Sequence, residues 1–422
     1  MKMKLVYPRW AKLERQTEFH LPPHGPVVFA AALPPEVEVD FVDENVQTLD
    51  FNDSADLVAL SVMLTCQLPR AFAIAQEYRA RGVKVMFGGI ATMLHAEEVQ
   101  LHADCVFLGE AEGRMQAVID DFEKGQLKKV YNYMQQHPDI ELVGTARRDI
   151  LDRELYNYRG VQMLDLVHTS RGCKFNCYPC CTGYLGGQKF RPRPIDKVIA
   201  EMEAIPNNRL FIVDNSMAQD KQWLLELFAA MKPLKKKWVS HPLLDDADVL
   251  QAAADAGAWY VYQAVFDTSD VIRNRIKRLK EHGIGIEGTI LLGTDDQSAD
   301  DIRALVDFLL EVDLDVAEFT IMTPFLKSPL RAQMEKEGRI LSNNWGDYTA
   351  DKVVFQPKQM TPDELQKMFY YAWDTFNADG GYQLKMSKLF KQVITREIED
   401  GTYRKYDTKR HRIFNKKVAG AV

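Results

Sequence analysis

Three cysteines, Cys173, Cys177 and Cys180, fall within eight residues in the run Arg-Gly-Cys-Lys-Phe-Asn-Cys-Tyr-Pro-Cys-Cys (171–181). Spacings of three and then two intervening residues let one short loop gather the thiolates around a single centre. Thiolates are soft ligands suited to zinc and to iron–sulfur clusters. No C-x-x-C or H-x3-H follows to complete a zinc finger. Three thiolates on a four-iron cluster leave one iron open to a small molecule. The bland alternative, three small apolar core residues, fits poorly with so dense a run beside glycine and polar residues. Cys181 comes directly after the triplet. Consecutive side chains diverge, so Cys181 is not expected to share the centre.

The rest of the composition narrows the class. Four of the six cysteines lie within nine residues, which is no disulfide framework, and a reducing cytoplasm is the expected setting. Cys66 and Cys105 read as core residues. The chain has 422 residues, enough for two or three domains, and its net charge of −7 gives no case for nucleic-acid binding. No uninterrupted apolar run reaches the 18 or so residues of a membrane span. The opening Met-Lys-Met-Lys-Leu-Val-Tyr-Pro is too short in apolar run for a signal peptide.

The first third reads as alternating strands and helices. Strands are expected at 4–7, 37–42, 57–62, 83–87 and 105–108, with helices at 67–81 and 115–122. Continuous apolar runs of this kind mark buried parallel strands, and the alternation implies an open doubly wound sheet. Ligands of such sheets sit outside the carboxyl ends of the strands. The residues expected there are Ser61, Thr65, Gly88, Gly89, Gly109 and Glu110. Glycines at those ends let backbone approach a large flat ligand, although a plain turn has the same wording.

Residues 124–158 read as a polar linker with short helical turns. Strand-like runs then recur at 164–168, 210–213, 238–240, 259–265, 285–292 and 316–322, with helical patterns at 196–204, 221–231, 246–256, 270–282 and 298–312. Six β/α units are fewer than the eight of a closed barrel. An open (β/α)6 barrel is expected, with its site at the carboxyl ends of the strands. Asp214-Asn215, His241, Asp267 and Gly293 fall at those ends. Asp214 could equally cap a helix, and a lone histidine is more often structural. Arg191 and Arg193 follow the cysteine loop and could meet phosphate or carboxylate, or simply form salt bridges. Helices are expected over 329–340 and from Pro362, capped by Thr361. Residues 402–417 hold seven Lys or Arg and read as a solvated terminal helix rather than an RNA contact.

The cysteine spacing resembles the cluster loop of the radical SAM superfamily. Phe-Gly-Gly-Ile-Ala-Thr (87–92), His-Ala-Asp-Cys-Val-Phe-Leu-Gly-Glu-Ala-Glu (102–112) and residues 56–61 resemble the cobalamin-binding domain that precedes many radical SAM domains. The chain as a whole resembles a cobalamin-binding-domain radical SAM methylase of class B. That resemblance implies cobalamin binding over 1–135, a linker at 136–160, a radical SAM partial barrel at 161–328 and a C-terminal cap at 329–422. It implies a four-iron cluster on Cys173, Cys177 and Cys180. Tyr178 is the nearest aromatic to the third cysteine, where the family contacts adenine, although Pro179 directly precedes Cys180. Asp214, Asn215, Asp267 and Gly293 would serve S-adenosylmethionine; Ser61, Thr65, Gly88, Gly89, Gly109 and Glu110 would serve cobalamin. No D-x-H-x-x-G occurs, so no histidine ligand to cobalt is implied; the lower face is expected to be open or capped from the 64–66 loop.

The implied activity is reductive cleavage of S-adenosylmethionine to a 5′-deoxyadenosyl radical and methylation of an unactivated carbon through methylcobalamin. The alternatives are a cyclase, oxidase or rearrangement enzyme without methyl transfer, or a non-catalytic cobalamin or iron–sulfur sensor. The implied partners are a small-molecule substrate of natural-product type and an external one-electron donor such as flavodoxin or ferredoxin.

Overall fold

A computed structural model describes residues 1–11, 13, 15, 20–158, 161–162, 164–378 and 380–403. Most of the basic stretch at 402–417 lies outside the described residues.

Six parallel strands build the N-terminal sheet: β1 (Lys2–Tyr7), β2 (Glu38–Asp43), β3 (Leu57–Ser61), β4 (Lys84–Gly88), β5 (Cys105–Leu108) and β6 (Val130–Asn132). Their order is β2-β1-β3-β4-β5-β6. The chain reverses its direction of travel between β1 and β3, so a crevice opens at their carboxyl ends. Alternate residues serve two cores. Leu5, Leu57, Ala59, Met86 and Phe107 face one layer; Val6, Val58, Leu60, Val85 and Phe87 face the other. Burial on both faces explains the continuous apolar runs.

Besides two short helices at Ile90–Leu94 and Ala96–His102, two elements here differ from the sequence reading. Helix His24–Ala32 covers the first face, and β6 adds a sixth strand inside the stretch read as linker. The helix opens on Pro-Pro-His-Gly-Pro, which reads as turn; proline is tolerated in a first turn, where N–H groups have no partner anyway. The short helical turns expected in the linker are present at Ile140–Leu142, Arg148–Ile150 and Arg153–Leu155.

After a small hairpin of β7 (Asn157–Tyr158) and β8 (Val161–Gln162), the second sheet begins at β9 (Asp165–Val167). A two-strand clip, β10 (Ser170–Arg171) and β11 (Arg191–Pro192), closes the base of the cysteine loop. β12 (Arg209–Ile212), β13 (Lys237–Ser240), β14 (Ala258–Ala264), β15 (Gly285–Leu292) and β16 (Val316–Ile321) complete it. All are parallel and in consecutive order from β9 to β16, an open six-unit barrel. Helices Ile195–Ala204, Lys221–Met231, Ala247–Asp255, Asp270–Glu281 and Ala299–Glu311 wrap its outside. The expected fold class is therefore the observed one.

The C-terminal helix Gly381–Glu399 plugs the base of the barrel. Its Met386, Leu389 and Val393 pack on Leu164, Val239, Tyr260 and Val316. A β-carbon at Gly285 would lie 2.6 Å from Leu389 Cδ2, so Gly285 lets this plug approach β15. Helix Pro362–Phe376 starts as expected, with Thr361 and Glu364 forming a capping box. No helix among the described residues is long and apolar enough to cross a membrane.

Candidate active site between the two sheets

A cavity of about 360 Å³ lies where the carboxyl edge of the N-terminal sheet meets the cysteine loop. Its inner part is an apolar slot between sheet and helix, walled by Leu5, Ala59, Met86 and Phe107 and by Val28 and Phe29. Its outer part is ringed by Ser61, Gly88, Gly89, Gly109 and Glu110 from the sheet and by Gly172, Gly186, Arg191 and Asn215 from the barrel side. A second cavity, of about 410 Å³, lies at the opposite end of the strands among Lys2, Asp53 and Arg81. It has no glycine turns, and it is at the wrong end of a parallel sheet for a ligand site.

The glycine edge has a physical requirement. Gly89 holds φ +97°, and a β-carbon there would come within 2.5 Å of the Val62 carbonyl oxygen. At Gly88 a β-carbon would meet nothing within 4 Å, so backbone borders open space. A slot of apolar side chains behind an edge of bare backbone fits a flat macrocycle carrying an apolar tail, and so the expected cobalamin.

The cysteine loop is held by its backbone. Gly172 takes φ +72° because its backbone crosses Lys189, whose carbonyl oxygen would lie 2.1 Å from a β-carbon. The Cys173 N–H donates to the Gly187 carbonyl at 3.3 Å and the Cys180 N–H to the Cys177 carbonyl at 2.9 Å. Gln219 clamps the loop from outside, accepting from Lys174 N at 2.9 Å and donating to the Gly172 carbonyl at 3.2 Å. Cys173 is buried; Cys177 and Cys180 are exposed. Burial pushes the Cys173 thiol up, the Phe175 N–H offsets this in part, and the nearby Cys177 and Cys180 thiols push it further up. Among the described residues no three His, Cys, Asp or Glu side chains could hold one metal ion. The donor set, three soft sulfurs of which two are exposed, fits a multi-iron centre.

Cys181 is set apart. It caps the short helix Thr182–Gly186, its carbonyl accepting from Tyr184 N at 3.0 Å and Leu185 N at 3.2 Å. Its thiol is raised by burial and then by Cys180 alone among the triplet.

Several expected ligand residues also bond within the protein. Asp214 is buried; its carboxylate accepts from Thr169 N and Thr169 Oγ1, both at 2.6 Å, and from Ser170 Oγ at 2.5 Å. It ties β12 to the strand that enters the cysteine loop, so its lone pairs are already engaged; Asn215 next to it lines the cavity. Glu110 pairs with Arg171, Arg191 and His137. Burial raises its carboxyl, but the Arg191 hydrogen bonds and the Arg171 charge outweigh this and hold it at about 2. Arg191 is thereby occupied, and Arg193 is buried against Glu201 and the His168 carbonyl. Each keeps only Nε without a hydrogen-bond partner.

The remaining expected residues are scattered. Thr65 lies beneath the surface with His95, 3.2 Å away, and the 64–66 loop is not part of the cavity wall. Tyr178 is exposed and donates to Gln333 at 3.0 Å. Asp267 accepts from Ser269 N at the exposed end of β14. Gly293, at φ +88°, is covered by Leu365 and Phe355. His241 stands between Phe211 and Tyr262.

Sequence reasoning passed over two cavity residues, His24 and His168, whose rings hydrogen-bond across 144 positions at 2.8 Å. It also passed over a carboxylate pair inside the barrel. Glu287 and Glu318 lie on the same face of β15 and β16, and burial followed by the Glu318 charge pushes Glu287 up to about 8. The Tyr382 hydroxyl donates to Glu287 at 3.1 Å. No local signal in the chain marks either pair.

This architecture, a doubly wound parallel sheet beside an open six-unit barrel, is shared with known proteins. Residues 15–119 match the B12 binding domain family. Bacteriochlorophyllide d C-12(1)-methyltransferase of Chlorobaculum tepidum is 25% identical over 357 residues, covering 79% of this chain and 77% of that protein. The C-8(2)-methyltransferase of the same organism is 23% identical over 367 residues, covering 79% and 81%. In structure, the radical S-adenosylmethionine methyltransferase TsrM of Kitasatospora setae superposes with a TM-score of 0.66 at 18% identity, over 87% of this chain and 83% of that one. The resemblance to cobalamin-binding-domain radical SAM proteins therefore holds in fold and in sequence.

Proposed function

We propose that this chain is a radical SAM enzyme that reductively cleaves S-adenosylmethionine and methylates an unactivated carbon of a small molecule with the aid of cobalamin. The observation that carries this reading is the shared cavity, walled on one side by Ser61, Gly88 and Gly89 and on the other by Gly172 and Gly186 of the cysteine loop. Cys173, Cys177 and Cys180 would hold the four-iron cluster, and the glycine edge with the apolar slot behind it would hold cobalamin. When bound, these groups supply one-electron cleavage of the sulfonium and a transferable methyl group.

The chain's own residues bind, orient and exclude water. Gly172 and the β10–β11 clip fix the cysteine loop; Asp214 fixes the strand that leads into it. Glu110, Arg171 and Arg191 hold the loop against the N-terminal sheet. Leu5, Met86 and Phe107 keep the slot dry. Residues 1–135 form the cobalamin-binding unit, 136–160 the connection, 161–328 the barrel and 329–422 the cap. An external one-electron donor such as flavodoxin or ferredoxin completes the system, in the cytoplasm and without nucleic acid. Relatives named as methyltransferases support methyl transfer over ring closure.

Anaerobic turnover of the reconstituted protein tests the reading. S-adenosylhomocysteine formed together with 5′-deoxyadenosine supports it. 5′-Deoxyadenosine alone points to a radical reaction without methyl transfer. Absence of both, from protein that carries iron and cobalamin, points to a sensor.

A further inference from the structure

His24 starts the helix that covers the N-terminal sheet, and His168 ends the strand that leads into the cysteine loop. Both line the cavity. His24 Nε2 and His168 Nδ1 are 2.8 Å apart, with ring centroids 5.0 Å apart and planes at 68°. His168 is only 6% exposed. The outer nitrogens, His24 Nδ1 and His168 Nε2, are buried and have no hydrogen-bond partner; nor has Arg191 Nε on the same cavity wall.

One proton must sit between the rings. If His168 Nδ1–H donates, His168 Nε2 keeps a bare lone pair and His24 Nδ1 a bare N–H. If His24 Nε2–H donates, the assignment reverses. Either tautomer leaves one lone pair and one N–H unsatisfied, a cost that native interiors rarely carry without a ligand. Burial first, then the charges of Arg148, Arg171 and Arg193, keep His24 neutral. Burial, then His24 and the same three arginines, do the same for His168. A neutral imidazole is the form that binds metal. A ring held at Nδ1–H by a partner while Nε2 stays bare is the usual arrangement of a metal-binding histidine.

We propose that His168 supplies through Nε2 a nitrogen ligand to the cobalt of the corrin cofactor, with His24 holding its ring. The inference rests on the cobalamin reading above. It replaces the expectation of an open face, or one capped from the 64–66 loop. The bond is dative: the lone pair goes to cobalt, the Nδ1 proton stays shared with His24, and no electron is exchanged. The leftover His24 Nδ1–H and Arg191 Nε–H then suit the carboxamide oxygens on the corrin rim, so all three orphan nitrogens find partners in one ligand.

The test is electron paramagnetic resonance of the cob(II)alamin-loaded full chain, comparing protein grown on natural nitrogen with protein grown on nitrogen-15, using unlabelled cobalamin. A protein ligand splits each cobalt line into three in the first sample and two in the second. His168→Ala should still retain cobalamin but lose the splitting, and His24→Gln should keep it. Lines that stay threefold in the labelled protein come from the cofactor's own base; unsplit lines mean an open face; either overturns the proposal. The wild-type pair of samples decides even if a variant fails to fold. Protein that retains no cobalamin at all overturns the cobalamin reading itself, and this inference with it.

Discussion

Arg171 Nη1 donates to Glu110 Oε2 at 2.8 Å, tying the residue two before Cys173 to the carboxyl end of β5 in the other sheet. The same guanidinium holds Glu112 through Nη2 at 2.6 Å, and Glu110 also accepts from Arg191 Nη1 at 3.1 Å. Charge-assisted bonds to a planar guanidinium fix direction as well as distance. The loop that carries the thiols is thus held in place by a carboxylate of the sheet that carries the glycine edge.

Glu110→Gln removes the charge and keeps the shape. With its carboxyl held at about 2, Glu110 contributes stability that is full above the unfolded value near 4.5 and is lost as pH falls toward 2. The variant should be about 2–3 kcal/mol less stable at pH 7 in denaturant titrations, with the gap closing below about pH 4.5. A gap unchanged between pH 7 and pH 3 would refute the latch.

Gly172→Ala tests the crossing over Lys189. A residue with a β-carbon in the left-handed region costs about 1–2 kcal/mol before any clash, and here the β-carbon would meet backbone. Iron incorporated on anaerobic reconstitution should fall severalfold, while the N-terminal sheet still binds cobalamin. Normal iron content in the variant would mean that the loop tolerates another path.

The strands were legible because parallel strands covered on both faces leave continuous apolar runs, as in Leu-Val-Ala-Leu-Ser (57–61). The cysteines and the Gly88-Gly89 edge were legible because spacing and backbone freedom are local properties. Helix His24–Ala32 was not, since turn residues mask its start, and the three residues of β6 are too short a pattern. The protein partners of Glu110 and Asp214 were not legible for a different reason. A carboxylate at a strand end reads the same whether its partner is a ligand or an arginine 61 positions onward. The His24–His168 pair exists only once two domains meet.

Glu287 makes the opposite prediction about pH. Burial, then Glu318, keep it protonated up to about 8, while its carboxyl bonds to Tyr260, Tyr262 and Tyr382. Below about pH 4.5 folded and unfolded chains both hold the proton. Between 4.5 and 8 only the folded chain does, so stability declines as pH rises. Glu287→Gln mimics the protonated acid. It should match wild type near pH 4.5 and exceed it by roughly 2 kcal/mol or more at pH 8 in denaturant titrations. A variant less stable at pH 8 would mean that the group is ionised in the folded barrel.

Cys181 can be separated from the triplet by experiment. The Cys173 thiol is pushed up by burial and then by its neighbours Cys177 and Cys180, whereas Cys181 caps the 182–186 helix through its carbonyl, a role that does not need the thiol. Cys181→Ala should therefore keep the visible absorption and iron content of the reconstituted protein near wild type. Loss of burial for one small side chain costs about 1 kcal/mol. Cys173→Ala, Cys177→Ala and Cys180→Ala should each abolish that absorption, because each removes one of the three thiolates that would hold the cluster. If Cys181→Ala loses the cluster and Cys180→Ala keeps it, the third ligand is the neighbouring thiol, and the bond from the Cys180 thiol to Thr182 Oγ1 at 3.1 Å is what holds Cys180 back.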